Sequence, residues 1–152
     1  MNRDKINIGI FKTIWYGLSF CYLSALLYIV FFARRRDKIT DRSLNIIPIK
    51  KTINNFSGIN INNQKQVYHF FENFLGNIFL FIPLPFVLVL FLPFKNLKLI
   101  LITSILTSIL IETIQYVLEI GIADIDDILL NTTGALIGIL ILSFFSSKHS
   151  IA

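Results

Sequence analysis

The chain is poor in the residues from which most soluble catalytic centres are built. Its 152 residues include one cysteine and two histidines. The lone thiol, Cys21, cannot close an intrachain disulfide, and with only His69 and His149 to join it a Cys- or His-based metal centre is excluded. Charge is also scarce: 15% of residues are Asp, Glu, Lys or Arg, against 55% hydrophobic and a mean hydropathy of +0.71. That balance excludes a soluble single domain of this length. It leaves no room for a Rossmann or P-loop nucleotide site or a nucleic-acid module, so the net charge of +5 points to membrane orientation or anionic lipid rather than nucleic acid. No serine stands in a nucleophile-elbow pattern. Bulky Phe20 before Cys21 argues against a lipoprotein cleavage box, so the first apolar block is expected to persist as a helix.

What the chain has instead is long apolar runs. Residues 13–33 and 74–94 each run 21 residues without a charge, 128–145 runs 18, and 99–118 runs 20 interrupted only by Glu112. Each is long enough to span a bilayer. The expected fold is therefore all-α, a polytopic membrane bundle of four transmembrane helices in one domain, residues 1–152. The long loop 34–72 joins the first two spans and reads as irregular structure with one apolar island, Asn45-Ile46-Ile47-Pro48-Ile49. Pro83 and Pro85 remove two backbone donors and predict a kink in the second span. The turn 95–98 makes spans two and three antiparallel neighbours. Gly134-x-x-x-Gly138 puts two glycines on one face of the fourth span, where another helix can approach or a homo-oligomer can form. Eight Lys or Arg on the long-loop side against six on the other favour a cytoplasmic loop with both ends outside.

The informative residues are the polar ones inside the spans. Asn73 and Asn77 are four apart at the start of span two, and Glu112, Gln115 and Glu119 form an i, i+3, i+7 stripe on span three. Asp124, Asp126 and Asp127 stand at the start of span four, where free backbone N–H groups and the positive helix end favour carboxylates, and Asn131 follows. Chain direction places the start of span two, the end of span three and the start of span four on one side of the membrane. The nine residues are therefore expected to converge on a binding pocket, a water-accessible funnel with Glu112 and Gln115 at its floor and the Asp cluster at its rim. A lipid-facing ionised carboxylate costs several kcal/mol, so Glu112 should face the bundle interior. Glu112, Asp126 and Asp127 are the candidates for acid–base chemistry, and Asp124, Asp126 and Asp127 a weak candidate for divalent metal. No cofactor is expected.

Three segments in order resemble the VanZ-like family of small bacterial membrane proteins, over roughly residues 45–140. Asn73-Phe74-Leu75-Gly76-Asn77-Ile78-Phe79-Leu80-Phe81-Ile82-Pro83-Leu84 is similar to its Asn-x-x-Gly-Asn-x-x-x-Phe-x-Pro-Leu stretch. Ser108-Ile109-Leu110-Ile111-Glu112-Thr113-Ile114-Gln115 is similar to its Ser-x-x-x-Glu-x-x-Gln helix, and Asp124-Ile125-Asp126-Asp127-Ile128-Leu129-Leu130-Asn131-Thr132-Thr133-Gly134 to its Asp-x-Asp-Asp-x-x-x-Asn-Thr-x-Gly signature. Asn45-Ile46-Ile47-Pro48 resembles its Asn-Leu-x-Pro element, with Ile49 where an aromatic is usual. Pro85 stands where a glycine is common. Many relatives carry an arginine just before the Asp cluster; Gly121-Ile122-Ala123 has none, which leaves the basic loop as the source of a substitute cation. The resemblance implies a cell-envelope role associated with low-level resistance to teicoplanin-type glycopeptides, and not a reaction; an apolar bundle with a polar funnel is expected to bind membrane lipid or a lipid-linked envelope component, which offers both acyl chains and polar groups. Two alternatives stay open: an intramembrane carboxylate enzyme acting on such a lipid, and a small proton- or ion-coupled transport or assembly subunit.

Overall fold

The computed structural model describes residues 3–33, 44–92, 96–121 and 123–149, with side chains described for 9–32, 44–92, 96–121 and 123–145. Residues 34–43 of the long loop lie outside that set. By its internal contacts the chain divides into Met1–Arg35 and Arg36–Ala152. The first unit is helix α1, Arg3–Tyr28, closed by a π-helical turn at Ile29–Ala33. Within it, Thr13 donates to the Gly9 carbonyl at 3.0 Å, so its hydroxyl is satisfied by its own helix.

The second unit carries α2 (Lys50–Ser57), α3 (Gln64–Phe81), α4 (Leu84–Phe91), α5 (Leu97–Val117) and α6 (Ile125–His149). Four stretches are long and apolar enough to cross a membrane: Gly9–Phe32, Gln64–Phe91, Leu97–Val117 and Ile125–Phe145. The chain is thus a helical, multi-pass membrane protein. Helix α5 shows the inversion that lipid imposes: Ile102, Leu106 and Leu110 are exposed, while Ser104, Ser108 and Glu112 are buried. Polar groups face the bundle because hydrocarbon offers them no partner.

The proline pair breaks the second span rather than merely bending it. Helix α3 ends at Phe81 and α4 starts at Leu84, with Pro83 capping α4 and Pro85 in its first turn. Neither proline can donate, and the ladder resumes when Phe86 N–H bonds to the Pro83 carbonyl at 3.1 Å. Helix α6 packs against α3, α4 and α5. The glycine pair accounts for how closely α3 lies: a Cβ placed on Gly134 would sit 2.1 Å from the Ile78 carbonyl oxygen, and one on Gly138 would sit 2.2 Å from that of Ile82. The Gly134-x-x-x-Gly138 face is therefore filled from within the chain, and self-association would have to use another face.

The stretch read as irregular loop is largely ordered where it is described. Helix α3 begins at Gln64, ten residues before the apolar run, with Asn63 accepting from Gln66 N–H as its cap. Ahead of it lies α2, and ahead of that Leu44–Asn45 pairs in parallel with Ala123–Asp124, Leu44 opposite Ala123 and Asn45 opposite Asp124. The apolar island is thus tied to the start of α6. We call residues 44–52 the strap.

Candidate functional site

The site forms where α3, α5 and α6 meet and the strap crosses them. Asp124 caps α6: its Oδ1 accepts from Asp126 N–H at 3.0 Å, the usual bond from a cap side chain to the second helical residue. Its own backbone N–H donates to Glu112 Oε2 at 3.0 Å, so the α5 acid holds the turn that starts α6. Deeper in the bundle, Asn77 of α3 donates to Asp127 Oδ1 at 2.7 Å, and Asn131 of α6 donates to Ser108 Oγ at 2.9 Å. Three spans are thereby joined by side-chain hydrogen bonds, in the convergence that chain direction predicts.

The rim is where the structure departs from the expected funnel. Asp124 and Asp126 do not line an open mouth; they are only 2% and 4% exposed. The strap covers them. Asn45 donates to Asp124 Oδ1 at 2.7 Å and the Lys51 ammonium pairs with Asp124 Oδ2. Asp126 takes the Ile49 backbone N–H on Oδ1, and on Oδ2 the Thr52 N–H at 2.9 Å and the Thr52 hydroxyl at 2.8 Å. The physical reason is electrostatic: two buried carboxylates at a helix start need more donors than the helix end supplies, and the basic loop delivers them. Lys51 is the substitute cation that the missing arginine calls for. Ile49 is held at φ 66, a left-handed conformation that a β-branched residue rarely adopts, with its N–H on Asp126.

Asp124 and Asp126, two of the three weak metal candidates, spend both oxygens on protein donors. The donors are Asn45 and Lys51 on Asp124 and Ile49 and Thr52 on Asp126, Asp127 Oδ1 takes Asn77, and among the described residues no group of three His, Cys, Asp or Glu side chains is disposed to hold a metal ion. Glu119 lies off the expected helical stripe. Helix α5 ends at Val117, and Glu119 lies beyond it, exposed, at φ 57. A helical stripe cannot be extended past the end of its helix. Gln115 is half-buried against the turn, where a Cβ on Gly121 would lie 3.1 Å from its own Cβ. Asn73 is half-buried one turn before Asn77 and has no part in the hydrogen bonds described here.

Sequence spacing left Asn45, Lys51, Thr52, Ser104 and Ser108 out of the site. Ser104 and Ser108 were within reach of it, since they precede Glu112 by eight and four residues and share its face. Ser104 satisfies its hydroxyl on the Ile100 carbonyl at 2.9 Å, as span-borne Ser and Thr commonly do, whereas Ser108 serves Asn131. Among the described residues one buried side-chain atom is left over. Asn131 Oδ1 is buried and has no hydrogen-bond partner.

The model of the VanZ/LLP1 family matches residues 19–146. "Protein VanZ" of Enterococcus faecium is 29% identical over 140 residues, covering 88% of this chain and 75% of that protein. No solved structure matches the chain.

Proposed function

The chain belongs to the VanZ/LLP1 family, and from that membership and the chemistry of its buried site we propose that it acts in the bacterial cell membrane by binding or displacing a lipid-linked envelope component. Its effect on the cell is low-level resistance to teicoplanin-type glycopeptides. The observation that carries this reading is Asn131 Oδ1, a buried acceptor awaiting a donor. Leaving such a group unmatched costs about 1–3 kcal/mol. A ligand that brings an N–H or O–H recovers that cost.

The surroundings narrow the ligand chemistry. Glu112, Asp124, Asp126 and Asp127 gather at this end of the bundle, and Lys51 is already paired with Asp124. A phosphate would be repelled there, whereas sugar hydroxyls, peptide amides or an ammonium would be drawn in. A glycosylated or peptide-bearing lipid meets both demands, with acyl chains in the bilayer and donors at its head. Occupation of the Asp124 and Asp126 oxygens by strap donors supports binding over acid–base catalysis, because a carboxylate so engaged is poorly placed to take a proton from a substrate.

The test is teicoplanin susceptibility of a deletion strain complemented with wild type or Glu112→Gln. Deletion is expected to sensitise the cells, wild type to restore them, and Glu112→Gln at equal membrane abundance to fail. Unchanged susceptibility on deletion overturns the resistance role.

A further inference from the structure

The strap has a second edge. Lys51 and Thr52 turn inward to Asp124 and Asp126, and this fixes the rotation of α2 about its axis. Ile53, the next residue, turns away from that side and Phe56, three residues on, borders it; the two are exposed by 58% and 66%, and Ile46, two residues before Pro48, by 66%. Helix α2 contains no buried residue. Apolar side chains left this exposed beside a polar anchor need a further partner.

The partner is indicated by what this face adjoins. The Phe56 ring lies 5.7 Å from that of Phe70, which stacks on Phe74 at 5.8 Å. Phe74 opens the charge-free run 74–94, which is long enough in sequence to cross the hydrocarbon layer. Phe70 is one turn above that run, so Phe56 stands at the boundary between hydrocarbon and headgroups. The charge agrees: besides Lys51, which Asp124 takes, residues 44–71 carry Lys50 and Lys65 and no acid. We infer that α2 and the strap form an interfacial element whose face of Ile46, Ile53 and Phe56 is seated in the headgroup–acyl boundary of the bilayer that the spans cross. A short amphipathic helix in this position lies in the membrane plane.

The test uses the full chain with Cys21→Ser, carrying one cysteine at position 46, 53, 54, 55 or 56, labelled with bimane and reconstituted in phosphatidylcholine–phosphatidylglycerol vesicles. Ile53→Cys and Phe56→Cys labels are expected to be quenched at least twofold more by lipids brominated near the top of the acyl chain than Asn54→Cys and Asn55→Cys labels, with the order reversed for aqueous iodide. Phe56→Cys removes a ring from the stack, so Ile46→Cys supplies an apolar position outside it and is expected to follow Ile53→Cys. Equal iodide quenching at all positions overturns the inference. So does protection of positions 53 and 56 from both quenchers, which would mean that a second protein copy covers the face.

Discussion

Replacing Asp126 by asparagine tests whether the strap is held by charge. The carboxylate accepts three donors from the strap, the Ile49 N–H on one oxygen and the Thr52 N–H and hydroxyl on the other. Asp126→Asn keeps one oxygen and turns the other into an NH2 group that faces a donor. At least one charge-assisted bond is lost, worth about 1.5–3 kcal/mol. Ile49 then has less to hold it at φ 66, a conformation that itself stores on the order of 1–3 kcal/mol. Local opening of the strap should become about 10- to 100-fold more frequent, taking 1.4 kcal/mol per decade. Amide hydrogen exchange in lipid nanodiscs reads this directly: protection at Ile49, Thr52 and Ile53 should fall by that factor, while α6 amides around Ala135 and Ile139 stay as in wild type. Unchanged exchange at Ile49 and Thr52 would refute the anchoring, and an equal loss across α6 would show that Asp126 supports the whole bundle rather than the strap.

Three further perturbations follow from the same contacts. Gly134→Ala drives a methyl onto the Ile78 backbone oxygen and should lower stability by about 3 kcal/mol or more, read as a fall in Tm in detergent, whereas Leu140→Ala on the exposed side should change it by less than about 0.5 kcal/mol. Lys51→Gln leaves buried Asp124 without its cation and should cost about 3 kcal/mol; adding Asp124→Asn should cost less than the sum of the two single changes, and strict additivity in that cycle would show that the pair does not interact. Ser108→Ala strands the Asn131 amide at both ends and should destabilise by about 1–3 kcal/mol, but Asn131→Leu, which removes the unmatched oxygen and the amide donor and leaves a Ser108 hydroxyl that can turn back to its own helix, should be near neutral in the same thermal assay.

What the sequence discloses depends on whether the deciding interaction is local. The four spans follow from apolar length, and the meeting of Asn77, Glu112, Asp127 and Asn131 follows from reversal of chain direction at each turn. Both need only the order of residues along helices. The start of α3 was hidden because residues 64–73 include Lys65, His69 and Glu72, which end a hydropathy run but not a helix; at the membrane surface they are solvated while Asn63 caps the first turn. Helix α2 is eight residues long, too short for its periodicity to stand out from an asparagine-rich stretch. The strap bonds join residues 73 to 79 positions apart, and no spacing rule reaches that far. The open rim was expected because three acids in four residues suggest water; the fold instead brings Lys51, Asn45 and two backbone N–H groups to them. Glu119 shows the opposite error. It fits a helical stripe on paper, but α5 stops two residues earlier.

The central claim is that acids and amides from three spans form a receptor for the donor-bearing head of an envelope lipid. Native mass spectrometry of the protein released from nanodiscs containing a polyprenyl-linked disaccharide peptide and an excess of phosphatidylglycerol tests it most directly. Wild type should retain one copy of the glycopeptide lipid in preference to phosphatidylglycerol, and Glu112→Gln and Asn131→Leu, both folded by the thermal assay, should lose that preference. Equal retention of the two lipids by wild type, or undiminished preference in both variants, would contradict the account.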